Sequence, residues 1–86
     1  MKTNHLMLKE LREIYHPEQK GFVNQKEYKL IKNTLCLDEM DILALRNLRD
    51  FTVASMGHSD AMEDWDRMSA ITYVIDTHIV VRGGEV

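Results

Sequence analysis

From about residue 4 onward, apolar residues recur at three- and four-residue steps, interrupted by short polar or glycine-containing connections. This spacing places them along one side of an α-helix, which turns once in about 3.6 residues. The interruptions divide the 86 residues into four such segments. A chain of this length forms one domain. The pattern therefore predicts an all-α fold, a single small four-helix domain over 1–86 with short connections and its two longest helices last.

The first two helices are predicted from their end signals. Apolar spacing predicts the first over 4–15, with Thr3 or Asn4 as its cap. Pro17 stops it because proline disfavours helical angles at the residue before it. In the second, Asn24 can cap the helix and Glu27 stands three residues later, which is the pattern of a capping box. We expect this helix to run to about Leu35.

The third helix is predicted to begin after a cap at Asp38 and to end near Met56, with Gly57 in the left-handed conformation beyond it. Its predicted inner side comprises Leu37, Met40, Ile42, Leu43, Leu45, Leu48, Phe51 and Ser55. The fourth is predicted to follow a cap at Ser59 or Asp60 and to end before the last two glycines. Its inward stripe at helical spacing comprises Ala61, Trp65, Met68, Thr72, Ile75 and Ile79.

The segment 71–81, ITYVIDTHIVV, is dense in β-branched residues, which favour strands over helices. We predict a helix because the period from Trp65 to Ile79 is coherent and no partner strand is evident. The segment also has apolar residues off the inward stripe: Tyr73, Val74, Val80 and Val81. A helix that is apolar all round must lie centrally in its domain or be buried against another chain, so the sequence predicts a homodimer or a partner-bound state.

Charge placement and cysteine content indicate a cytoplasmic protein. Lys9, Glu10, Arg12 and Glu13 interrupt the N-terminal segment where a signal peptide needs an apolar run, and no apolar stretch approaches the ~18–20 residues of a membrane span. Cys36 is the only cysteine, so the chain predicts no internal disulfide and no cysteine-based zinc site. We expect this thiol to be buried and inert.

No motif in the sequence is typical of an enzyme or of a cofactor site. The histidines lack the spacing of metal ligands, and Asp60 and Asp64 share a helix face without a third ligand at a recognised distance. His58, Ser59 and Asp60 are the residue types of a hydrolase triad, but sequence neighbours cannot adopt its geometry. No phosphate-binding loop or dinucleotide fingerprint is present. We therefore expect a non-catalytic protein with no metal and no cofactor.

Trp65, the only tryptophan, stands among acidic residues in MEDWDRMSAI. Its place on the inward stripe predicts a core anchor, although tryptophan is also enriched in binding hot spots. Residues 1–35 carry seven basic and four acidic side chains, whereas 36–86 carry four basic and ten acidic ones. That distribution fits either two solvated faces or an acidic half that meets a basic partner. The residues predicted to bind a partner protein are Glu63, Asp64 and Asp66 for steering, with Tyr73 and Val74 for contact.

The segment YKLIKNTLCLDEMDILALRNL resembles the first helix and turn of a helix-turn-helix repressor. The resemblance implies a small dimeric nucleic-acid-binding regulator in which Lys26, Lys29 and Lys32 contact phosphates. The segment departs from the pattern because its turn lacks glycine and its would-be recognition helix opens with acids at 38, 39 and 41. Phosphates would repel these acids, so nucleic-acid binding is the alternative function.

The segment WDRMSAITYVID is similar to the C-terminal segment of small uncharacterised proteins encoded by bacteriophages and prophages. That resemblance implies an accessory protein in a bacterial cytoplasm that binds and modulates a host protein, including defence or replication machinery. It implies no catalytic residue. Together with the composition, it favours a non-catalytic protein-binding modulator.

Overall fold

A computed structural model describes residues 3–18, 22–57 and 62–83, with the backbone alone described at 62 and 63. Within these ranges every helix or strand longer than three residues is an α-helix. The last two helices are the longest, with 15 and 20 residues. The prediction of an all-α, four-helix fold is confirmed. The elements are α1 (Asn4–Ile14), α2 (Gln25–Leu35), a short 3-10 turn (Leu37–Glu39), α3 (Ile42–Met56) and α4 (Met62–Val81).

Side-chain caps begin the first two helices where the sequence indicates. The Thr3 hydroxyl accepts a hydrogen bond from the Leu6 amide at 3.2 Å. The Asn24 side chain accepts from the Glu27 amide at 2.8 Å, and the Glu27 carboxylate accepts in return from the Asn24 amide at 3.4 Å. The predicted capping box is confirmed, and it supplies partners for two amides that the helix itself leaves unpaired.

The connection between α2 and α3 departs from the prediction of a cap at Asp38. Cys36 ends α2 in the left-handed conformation with φ of 56°, and the 3-10 turn that follows buries Leu37. The chain therefore enters α3 only after Asp41, whose carboxylate accepts from the Ala44 amide at 2.8 Å. Cys36 itself is exposed, so the predicted buried thiol is wrong.

The ends of the last two helices give mixed outcomes. α3 ends at Met56 as predicted, but Gly57 is right-handed, with φ of −66°, rather than left-handed. Helix α4 runs through 71–81, which confirms a helix there and not a strand. The predicted caps at Ser59 and Asp60 lie outside the described residues.

Helix α4 lies centrally, packed along α3 and against α2. Its buried residues occupy almost half of its circumference: Met68, Ile71, Thr72, Val74, Ile75, His78 and Ile79. From α3, Leu45, Leu48 and Thr52 are buried, and the Thr52 and Thr72 hydroxyls meet at 2.8 Å between the two helices. The central position explains why this segment is so rich in apolar and β-branched residues, because it must fill the core on several sides.

Two apolar residues predicted for the inner side of α3 face outward. Leu43 is 69% exposed and Phe51 is also exposed, whereas Thr52 occupies the buried position beside Leu48. The buried face of α3 is narrower than the number of its apolar residues suggests, because α4 covers only one line of side chains along it.

None of the described helices is both long and apolar enough to cross a membrane.

Candidate protein-interaction surface

The outer face of α4 comprises Trp65, Ser69, Tyr73, Thr77, Val80 and Val81, which turn away from the core. Four of these are large apolar or aromatic side chains that remain exposed, with Tyr73 at 59% and Val81 at 73%. Single exposed apolar residues are ordinary on a protein surface. Several on one helix face form a patch, which marks a candidate interaction site.

Trp65 is 45% exposed, so the prediction that it anchors the core is wrong. The buried side of α4 centres on Ile71 and Ile75, and successive helical residues are about 100° apart. Trp65 therefore lies about 80° around the helix from Ile75, at the edge of the buried side. Met68, one turn further on, is the residue that enters the core.

Tyr73 and Val74 were both predicted to contact a partner, and the fold separates them. Tyr73 lies about 160° around the helix from Ile75 and is exposed. Val74 is completely buried, so its predicted role in partner contact is wrong. The physical reason is that a step of one residue turns the side chain by more than a quarter of a circle, which here carries it from solvent into the core.

Asp64 lies in an ion-pair network that joins α1 to the start of α4. Arg12 donates two hydrogen bonds to its carboxylate, from Nε at 3.0 Å and from Nη2 at 2.7 Å. Arg67 Nη1 lies 3.6 Å from the same carboxylate, whose side chain is only 18% exposed. Arg67 also reaches His16 Nδ1 at 3.2 Å, so the network extends to the loop after α1. This carboxylate therefore holds helices together.

The acidic rim predicted around Trp65 is thus largely engaged within the chain. Asp66 is partly buried and has an interaction partner, while the side chain of Glu63 lies outside the described residues. The steering role of these three residues stays a prediction. Since two guanidinium groups compensate Asp64, apolar contact is a stronger basis for binding at this surface than negative charge.

A buried tyrosine and a buried glutamate lie close together between α1 and α2. Tyr15 ends α1 and is buried, as is Glu27 at the start of α2. Burial and the neighbouring Glu27 carboxylate both raise the pKa of Tyr15, burial contributing most. Both effects disfavour the charged phenolate, so Tyr15 stays neutral in the folded protein.

The lysine row of α2 is only partly available to a nucleic acid. Lys32 Nζ lies 3.2 Å from Asp38, and the same carboxylate lies 3.5 Å from Nε2 of the buried His78. Lys26 and Lys29 are exposed. The acids that open the α3 region therefore partly neutralise the predicted phosphate-binding row, which weakens the helix-turn-helix interpretation.

In the described part of the chain, the side chains that could bind a metal ion are not clustered. Among the described residues, no three histidine, cysteine, aspartate or glutamate side chains gather as metal ligands would. Of the residues named for a triad, His58, Ser59 and Asp60 all lie outside the described residues. No family model, curated protein or solved structure matches the chain. The exposed face of α4 is therefore the basis for assigning a function.

Proposed function

We propose that the protein is a non-catalytic accessory protein that works by binding another protein through the outer face of α4. The observation that carries this proposal is the exposure of Trp65, Tyr73, Val80 and Val81 on the helix whose opposite side forms the core. Aromatic residues supply large contact areas and are enriched among binding hot spots.

The rigid attachment of α4 to the core supports the proposal. Met68, Ile75 and Ile79 hold α4 in the core, so the outer face is presented on a helix that is already ordered. A partner that binds here immobilises few additional groups. The entropic cost of association falls accordingly, which favours binding by a surface of modest size.

The resemblance of WDRMSAITYVID to small phage and prophage proteins suggests where the protein acts and on what kind of target. In that setting the protein acts in a bacterial cytoplasm and modulates a host protein of the defence or replication machinery. The segment that carries this resemblance includes Trp65 and Tyr73, which belong to the outer face of α4.

The test is a pull-down of tagged protein from bacterial lysate, with and without nuclease, followed by mass spectrometry. We expect a protein partner that survives nuclease and is lost with Trp65→Ala or Tyr73→Ala. The control is Leu43→Ala, which removes an apolar side chain of α3 that is more exposed than either Trp65 or Tyr73 and should leave capture unchanged.

Capture that disappears with nuclease would contradict this proposal and favour the helix-turn-helix alternative. In that case, Lys26→Ala with Lys29→Ala should abolish capture, and the affinity should fall steeply with salt because phosphate contacts release counterions. If Leu43→Ala weakened capture as much as Tyr73→Ala did, the result would also contradict the assignment. Binding would then not depend specifically on α4.

A further inference from the structure

We infer that a polar seam between α3 and α4 selects which side of α4 is buried, and thereby keeps Trp65 at the surface. The seam consists of two contacts, one between Thr52 and Thr72 and one between Arg49 and Asp76. Apolar residues stand on both sides of α4, so apolar burial alone discriminates weakly between its faces. This selection is a property of the fold and holds whichever partner the outer face of α4 binds.

The first contact of the seam joins two buried hydroxyls. Thr52 is completely buried and Thr72 is 8% exposed, and their Oγ1 atoms lie 2.8 Å apart. The Thr52 hydroxyl donates its one proton to the Arg49 carbonyl at 2.7 Å, so Thr72 is the donor between the helices. A threonine side chain is too short to follow a turn of its helix, so this hydrogen bond forms at only one rotation of α4.

The second contact of the seam lies one helical turn further along α4. Asp76 follows Thr72 by four residues, and on α3 Arg49 precedes Thr52 by three, as antiparallel neighbours require. Arg49 Nε lies 3.1 Å from Asp76 Oδ1. Both atoms are shielded from water although part of each side chain is exposed. Salt screens such a pair less than one that lies fully in solvent.

On α4, the seam runs along one border between the buried side and the exposed apolar residues. Successive helical residues are about 100° apart, so Thr72 lies about 60° and Asp76 about 100° around the helix from the buried Ile75. Trp65 lies about 80° and Val80 about 140° in the same direction. The seam therefore stands where a rotation of α4 would carry exposed apolar residues into the core.

The seam makes that rotation unfavourable. A turn of about 100° would break both contacts and place Asp76 at the centre of the buried side, where an unpaired carboxylate is costly. If the polar groups of α4 were absent from the seam, the same turn would exchange one apolar surface for another. Trp65 and Val80 would enter the core, and the buried Val74 would leave it. The seam thus acts on the choice of face.

Polar contacts on the opposite flank of α4 constrain its rotation less. There Arg67 Nη2 reaches Nδ1 of His16, an exposed residue in the loop after α1, at 3.2 Å. Nε2 of the buried His78 lies 3.5 Å from Asp38, whose side chain is 63% exposed. A long arginine or an exposed aspartate can follow a moving helix, whereas the buried hydroxyls of the seam cannot.

The test removes the α4 half of the seam in the double variant Thr72→Val/Asp76→Ala. The Thr52 hydroxyl keeps its acceptor, the Arg49 carbonyl, so no buried donor is left unpaired. We expect far-UV circular dichroism to stay helical. The fluorescence emission of Trp65 should shift to shorter wavelength and its quenching by iodide should fall, because the rotation buries the indole.

A second reporter should move in the opposite direction. Val74→Cys in a Cys36→Ser background places a thiol on the buried side of α4 and removes the exposed native one. With the seam intact, this thiol reacts with a labelling reagent only when the structure opens. In the Thr72→Val/Asp76→Ala variant we expect labelling to be at least about tenfold faster, since the rotation carries position 74 to the surface.

The matched control is Thr77→Val/Asp50→Ala, which makes the same two chemical changes away from the seam. The Thr77 hydroxyl donates to the Tyr73 carbonyl within α4, and Asp50 pairs with Arg49 within α3. Both reporters should keep their wild-type values in this variant, although the valine makes the outer face of α4 more apolar.

Opposite movement of the two reporters in Thr72→Val/Asp76→Ala alone would support selection by the seam. Wild-type values in that variant, or a change in only one reporter, would overturn it, since apolar burial would then suffice to fix the face. Loss of the helical signal would overturn it as well, because the seam would then supply stability and not select a face. The same movement in the control would show that the effect does not belong to the seam. Capture of a partner from lysate is a separate measurement, so its failure would leave this result standing.

Discussion

Residues of α4 that lie on the same predicted stripe differ sharply in their burial. Trp65 and Met68 both belong to the apolar stripe read from the sequence, yet the first is exposed and the second is buried. Free energy of folding comes from the apolar area that leaves water, not from the size of the side chain alone. Stability should therefore depend on Met68, and binding on Trp65.

Substitution by alanine at the two positions tests this division. We expect Met68→Ala to lower the free energy of unfolding by about 2–5 kcal/mol, as for other buried large-to-small changes. Trp65→Ala should cost less than about 1 kcal/mol because the indole is half in solvent. Urea denaturation curves give both values, and an equal loss in the two variants would contradict the placement of Trp65.

The buried phenol of Tyr15 predicts a dependence of stability on pH at the alkaline end. Its pKa is raised in the folded protein, so above the ordinary tyrosine pKa of about 10 the unfolded chain loses this proton first. The free energy of unfolding should then fall with rising pH, by up to about 1.4 kcal/mol per pH unit from this group. Denaturation at several pH values measures the slope, which Tyr15→Phe should reduce. An unchanged slope in Tyr15→Phe would assign the decline to other groups.

At the scale of whole elements, short-range caps and long-range ion pairs act on different parts of the fold. The Asn24–Glu27 capping box involves residues three apart and starts α2. The Arg12–Asp64 pair joins residues 52 positions apart and connects α1 to α4. The cap depends on the chain locally, whereas the ion pair exists only once the helices have packed.

Loss of the capping box should destabilise α2 measurably. We expect Asn24→Ala to lower the free energy of unfolding by about 1 kcal/mol, because the Glu27 amide loses its acceptor. Asn33→Ala makes the same chemical change near the end of the same helix and should be neutral or slightly stabilising, since alanine has the higher helix propensity. Thermal denaturation of both variants gives the comparison, and equal effects would argue against the cap.

The pair between Arg12 and Asp64 should couple α1 to α4. A double-mutant cycle with Arg12→Ala and Asp64→Asn is expected to give a coupling free energy of about 0.5–1 kcal/mol that shrinks with added salt, since Arg12 is nearly half exposed. Asp50→Asn provides the control, because Asp50 pairs with its neighbour Arg49 within one helix. No coupling at low salt would show that α1 docks through apolar contacts alone.

The whole molecule is small, so its core is thin and its stability is sensitive to any binding of the folded state. A chain of this length buries only about 60–65% of its unfolded surface. Its central helix keeps one apolar face in solvent. Association through that face would add stability that the single copy lacks, since any partner that binds only the folded form shifts the unfolding equilibrium.

If the homodimer predicted from the sequence forms through the exposed face of α4, the thermal midpoint should rise with protein concentration. Dissociation accompanies unfolding in that case, so mass action favours the folded state in concentrated samples. Calorimetry over a wide concentration range should show the rise for the wild type and for Leu43→Glu, and no rise for Tyr73→Glu. A wild-type midpoint independent of concentration would argue against the dimer.

The predictions that succeeded depend on interactions within a few residues. Helix periodicity, the cap at Asn24 and the helical state of 71–81 all involve neighbours along the chain, and the structure confirms them. The predicted start of α3 after Asp38 is wrong because Cys36 adopts a left-handed conformation, which a cysteine in the sequence does not indicate. Of the candidate surface, the sequence indicated Tyr73 but misplaced Trp65 and Val74.

The sequence by itself determined that this protein is helical, roughly where each helix lies, and which residue caps α2. Those outcomes follow from backbone hydrogen bonds and rotamer preferences that act within one or two turns. Tertiary structure decided which side of α4 faces inward, and thus that Trp65 is exposed and Val74 is buried. It also decided that Arg12 holds Asp64. A helix with apolar residues on every side has no single preferred buried face until α2 and α3 pack against it.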